Sequence, residues 1–193
     1  MVDENKGYLA GQVLLAMPGM GDTRFNRAVI YICAHDKNGA MGLVINHIVP
    51  GLKFGSLLKE LNVATDITIP SDIVTLPVIN GGPVETARGF LLHSKDFKHD
   101  DTVDINESFS LTGTVDALKE VASGQGPKDM VFTLGYAGWS AGQLDQELHQ
   151  NAWLTCEASR DLIFDTAPHD MWDAAVGHIG VDPSLLSLNS GHA

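Results

Sequence analysis

The sequence predicts an α+β fold on a mixed sheet, as a single domain over 1–193. Three observations lead there. Short apolar runs dominate the first half, and helical patterns interrupt them without the strict alternation of a doubly wound parallel sheet. No repeat, low-complexity tract or Pro/Ser-rich linker marks an internal boundary. The 193 residues lie within the usual one-domain range of roughly 100–200, and 44% hydrophobic against 19% charged is too apolar for a disordered chain. Segments 1–8 and 186–193 read as flexible tails.

Leu9 to Met17 reads as a strand that stops at Pro18-Gly19-Met20-Gly21-Asp22, a loop suited to one end of a cleft. Arg27–His35 and Ala40–His47 flank Asp36-Lys37-Asn38-Gly39, so a hairpin is expected. Leucines 57, 58 and 61 give Phe54–Asn62 helical spacing. Pro77–Asn80 and Gly89–His93 read as short strands around Gly81-Gly82-Pro83. Thr114–Ser123 reads as a helix capped by Thr114 and ended by Gly124. Met130–Tyr136 is a buried strand. Ser140–Gln150 is a helix opening on Ser-x-x-Gln, a capping-box pattern. Trp153–Cys156 and Asp161–Phe164 read as extended, and Met171–His178 as an amphipathic helix.

With 12 Lys+Arg against 24 Asp+Glu, the net charge is −12. Its distribution is uneven. From Met130 onward Arg160 is the lone basic residue among eight acids, whereas Thr23–Lys59 carries five cations and one acid, Asp36. Such a chain is repelled from duplex DNA at long range, although the basic stretch leaves room for a small nucleotide or an acidic partner. No apolar run reaches the roughly 18 residues of a membrane span, and the acidic start does not resemble a signal peptide. A cytoplasmic protein without membrane contact is the expectation. Cys33 and Cys156 are then reduced thiols. The eight histidines show none of the usual ligand spacings, so no metal and no cofactor is implied; His99-Asp100-Asp101 reads as an exposed loop.

Three patterns could carry chemistry. Gly138-Trp139-Ser140-Ala141-Gly142 fits G-x-S-x-G between a strand and a helix, with Asp161, Asp165, His169 and His178 downstream. Ser140 would be the nucleophile of a serine hydrolase, but the same residue suffices as a helix cap and the preceding strand–helix series is missing. Gln143, Glu147 and Asn151 stand at i, i+4 and i+8, a polar row flanked by Trp139 and Trp153 that suits a polar ligand or a partner. Asn80-Gly81-Gly82-Pro83 can turn consecutive N–H groups toward an anion, or form a tight turn.

In order along the chain, Leu14–Phe25, Gly39–Asn46, Gly81-Gly82-Pro83-Val84 with Gly89–His93, Leu134–Trp139 followed by Gly142–Leu148, Asn151-Ala152-Trp153-Leu154, Phe164-Asp165 and Trp172 resemble the bacterial YqgE/AlgH family over about Gly11 to Ala193. The resemblance implies a mixed, partly barrel-like or bifurcated sheet surrounded by helices. It also brings a transcriptional-regulator label that rests on a genetic link to alginate production and on no DNA-binding motif. The family pattern requires no serine at position 140. Within its motifs Asp22, Arg24, His35, Asn46, His93, Gln143, Glu147 and Asn151 are polar positions without an obvious core role. The expected protein is therefore a non-enzymatic binder of a small polar ligand or a protein partner. Its site is expected in a cleft formed by Gly81, Gly82, Tyr136, Trp139, Gln143, Glu147 and Asn151.

Overall fold

The computed structural model describes residues 8–63, 68–182 and 186; the expected tails lie outside these except for Tyr8 and Leu186. Strands β1 (Gln12–Ala16), β2 (Val29–Asp36) and β3 (Gly39–Val44) form an antiparallel meander. The β2–β3 hairpin turns at Lys37-Asn38, where Asp36 Oδ1 accepts the Asn38 amide at 2.7 Å. The chain returns much later as β10 (Trp153–Glu157), which pairs with β1 in the register Val13↔Cys156.

The organising strand is β9 (Met130–Ser140). Its C-terminal half pairs with β3, and its N-terminal half pairs with β6 (Val84–Ser94) along the opposite edge. Beside β3, on that first edge, lies the short strand β5 (Pro77–Asn80), parallel to β9 through Ile79↔Thr133. Strand β4 (Ile48–Lys53) covers β5; β8 (Phe109–Thr112) and then β7 (Val103–Asp104) extend the sheet beyond β6. The ten-stranded sheet thus forks at β9 and curls into a half-barrel, with helices packed on it.

The fork explains a glycine pair. β5 and β6 lie on opposite edges of β9, so Gly81, Gly82 and Pro83 must carry the chain across it. A Cβ on Gly81 would meet the Gly135 carbonyl oxygen at 2.3 Å, and one on Gly82 (φ +147°) would meet the Tyr136 carbonyl carbon at 2.2 Å. Only a backbone without side chains passes that closely.

Both faces of the central strands are buried, which is why they read as continuous apolar runs. Val13, Leu15, Tyr31 and Leu43 pack with α5 (Met171–His178), whereas Leu14, Ile30, Ile32 and Val44 pack with Trp139, Trp153 and α4 (Gln143–His149). Helices α1 (Phe54–Glu60) and α3 (Val115–Ala122) cover a third cluster around Phe54, Leu91 and Phe132; the short α2 (Ser71–Thr75) lies against α1. No helix among the described residues is long and apolar enough to cross a membrane.

Several elements differ from expectation. Segment Asp161–Asp165 is a π-helical turn, held by Ser159 Oγ accepting the Leu162 amide, and not extended. Thr114 sits at the α3 N-cap but makes no side-chain cap; its hydroxyl donates to Asp101. Ser140 ends β9, and α4 begins three residues later at Gln143. β4 was hidden by Pro50 and Gly51, and the two-residue β7 is too short to leave a period.

Candidate functional site

Helix α4 holds Gln143 and Glu147 one turn apart, while Leu144 between them anchors in the core. This face looks onto the last residues of β9 and the first of β10. Glu147 Oε2 accepts both indole N–H groups, from Trp139 at 2.8 Å and Trp153 at 2.7 Å. Its Oε1 accepts Gln143 Nε2 at 2.9 Å. Gln143 Oε1 in turn accepts the Ser140 amide at 3.0 Å and the Ser140 hydroxyl at 3.2 Å. One carboxylate thereby locks two tryptophans that also pack edge-to-face on each other, with Phe25 edge-on to Trp153.

This network forms one wall of a cleft of about 320 Å³. Met20, Asp22, Arg24 and Phe25 supply the facing wall, and Pro83 and Ala152 complete it. Asp22 caps the short turn Thr23–Phe25 by accepting the Arg24 amide. The Arg24 side chain also donates to both Asp22 oxygens, and that hydrogen bonding holds the exposed Asp22 carboxyl below the usual carboxylate range.

The matching family model covers residues 13–184 and is described as AlgH-like. The chain belongs to the AlgH-like family. It is 49% identical over 191 residues to a UPF0301 protein of a Bradyrhizobium strain, covering 97% of this chain and 88% of that one. Against a UPF0301 protein of Rhodospirillum rubrum it is 48% identical, covering 100% and 98%. The solution structure of the AlgH protein from Pseudomonas aeruginosa superposes with a TM-score of 0.78 at 40% identity over the whole of both chains. A Corynebacterium diphtheriae crystal structure shares the fold at 20% identity and TM-score 0.68, covering 95% and 92%.

In this AlgH-like chain Trp139, Gln143 and Glu147 converge as expected, but the other four candidates do not join them. Tyr136 and Trp139 are an odd number of residues apart on one strand, so they face opposite sides of the sheet. Tyr136 packs with Phe90 along a larger, shallower groove, outside the α4 cleft, that Met41, Leu111 and part of Trp139 also line and where Arg88 lies over Phe90 and pairs with Glu85. Asn151 lies past the end of α4 in a left-handed conformation (φ +55°). Its amide donates to the Leu148 carbonyl and that of Ala152 to the Glu147 carbonyl, the two bonds of a Schellman cap. The Gly81 amide is bound to the Leu134 carbonyl and the Gly82 amide to Asn80 Oδ1, so these amides have partners already and the pair serves the crossover.

The remaining polar family positions are structural. Asn46 accepts the Val29 amide and donates to the Arg27 carbonyl, extending the ladder beyond β3. The buried His35 accepts the Leu9 amide at Nδ1. His93 is fully buried in a hydrogen-bonded chain with Thr112 and the Ser94 carbonyl, and burial holds its imidazole below the ordinary 6.5. The segment His99-Asp100-Asp101, expected as an exposed loop, is exposed at Asp100 alone: His99 and Asp101 form a half-buried clasp in which Asp101 also accepts the Gly113 amide. Ser140 has Gln143 as its hydroxyl partner; His169 is beside Asp170 and His178 bonds the Ala174 carbonyl. Among the described residues no cluster of three or more His, Cys, Asp or Glu could hold a metal. Sequence reasoning left Met20, Phe25 and Pro83 out of the site; the Pro18–Asp22 loop was the signal available for Met20.

Proposed function

We propose that this chain is a binding protein and that its ligand occupies the cleft between α4, the end of β9 and the Pro18–Asp22 loop. The carrying observation is Glu147, which fixes two tryptophans and Gln143 around a concave space of ligand size. Preorganised polar groups over aromatic walls favour recognition of a small polar molecule. A thermal-shift screen of metabolites tests this. A stabilising compound should lose its effect on Met20→Trp, which fills the cleft. Undiminished stabilisation of that variant places the site elsewhere.

The serine-hydrolase alternative has the strand–turn–helix around Ser140 in its favour. Its hydroxyl donates to an amide oxygen, which supplies no base. Fluorophosphonate labelling of wild type, absent in Ser140→Ala, is the result that would restore it. For a transcription-associated role, a gel shift whose affinity drops steeply with salt is the required observation.

A further inference from the structure

The hydrogen-bonding capacity left over in the cleft points to a chemical class of ligand. This step rests on the cleft being the binding site. A carboxylate offers about four acceptor positions, two on each oxygen. Both positions on Glu147 Oε2 are taken by the indole N–H groups, and one on Oε1 is taken by Gln143. The Gln143 carbonyl oxygen is filled by the two Ser140 donors, and its Nε2 has used one of two protons. Among the described residues two functions are left: one acceptor on Glu147 Oε1 and one donor on Gln143 Nε2, on atoms 2.9 Å apart.

We infer that the cleft binds a nucleobase-type heterocycle, as a nucleoside or nucleotide, which gives an N–H to Glu147 Oε1 and accepts from Gln143 Nε2 at an adjacent edge position. Three features of the site favour this class. An amino or lactam N–H beside a ring nitrogen or carbonyl supplies the complementary donor–acceptor pair. A guanidinium or ammonium ion supplies donors alone and leaves the Gln143 proton without a partner. Phe25, Pro83, Trp139 and Trp153 provide apolar walls for a flat ring, and the space of about 320 Å³ suits one such unit. Arg24 stands at the same cleft, where its guanidinium can reach an anionic substituent by leaving Asp22.

Calorimetric titration with adenosine, cytidine, guanosine, uridine and their 5′-monophosphates, against purine riboside, tests the assignment. Purine riboside keeps the flat ring and acceptors but has no N–H on its base. At least one base with an N–H should bind, with purine riboside weaker by about tenfold or more. Glu147→Gln retains an acceptor for the indoles and replaces Oε1 by a donor; it should lower that affinity by about tenfold. Should Glu147→Gln fold poorly, Gln143→Met removes the donor while leaving the carboxylate to the indoles and should weaken the same ligands. Equal binding of purine riboside, affinity unchanged in both variants, or no binding by any nucleoside or nucleotide overturns the inference. If another metabolite stabilises the wild type and not Met20→Trp while these compounds fail, the cleft remains a binding site and only the nucleobase assignment falls.

Discussion

Two polar networks sit in the apolar body of this protein, and they end differently. Around His93 the chain of bonds is closed: Nε2 meets Thr112, Thr112 meets Thr102, and Nδ1 donates to the Ser94 carbonyl, all against the core face of β6 and β8. Around Glu147 the chain runs along the wall of a cleft and stops with one acceptor and one donor unspent. A closed network specifies a core, since any unpaired member costs its full desolvation. An open one keeps hydrogen-bonding capacity for something outside the chain. Burial alone would rank His93 as the more unusual residue, yet it is the half-buried Glu147 that faces available space.

The largest effect should come from Glu147→Leu. Two indole donors lose their acceptor together, and urea unfolding should show a loss of about 2–5 kcal/mol. Any cleft ligand should be lost as well. His93→Leu should cost about 1–3 kcal/mol by taking one of the two hydroxyl partners from Thr112 and the imidazole donor from the Ser94 carbonyl, and ligand affinity should not change. If His93→Leu abolished binding, the division between a structural and a ligand-facing network would fail.

The closed network also carries a pH signature. His93 titrates below 6.5 when folded, because burial disfavours its charged form. Between 6.5 and that lower value the unfolded chain binds more protons, so stability falls as pH drops below about 6.5. His47 is shifted in the same direction, so His93→Gln should flatten part of the slope measured by urea unfolding from pH 7.5 to 5.

Thr133 sharpens the contrast from a third side. Its buried hydroxyl on β9 has no partner among the described residues and belongs to neither network. Thr133→Val should therefore be neutral or stabilising by about 1 kcal/mol in the same assay. Ser140→Ala should be smallest, within about 0.5 kcal/mol, because Ser140 is exposed and Gln143 keeps the backbone amide as a donor.

The elements with a strong period were legible in the sequence: the β2–β3 hairpin, β5, α1 and α5 fall where they were expected. The Gln143–Glu147 spacing located the core of the cleft, because a helix places i and i+4 together whatever surrounds it. Extending that row to Asn151 failed because a Schellman cap ends the helix first, and short helices leave little room for an i+8 partner. Tyr136 was misplaced for a different reason: strand alternation separates it from Trp139, and grouping them by proximity in sequence ignored that parity. The Gly81-Gly82 crossover could not be read at all. It depends on which edge of β9 each neighbouring strand occupies, a long-range fact that no local pattern encodes.

Trp172 donates its indole N–H to the carbonyl of Ala16, 156 residues earlier, and β10 pairs with β1 in the same region. This arrangement sets a timetable for biosynthesis. β1 leaves the ribosome long before either of its late partners exists, so one of its edges and the apolar side chains of Leu15 and Val13 stay uncovered until β10 and α5 have been made. Truncations that remove both β10 and α5 should therefore yield a product prone to aggregation through that waiting edge.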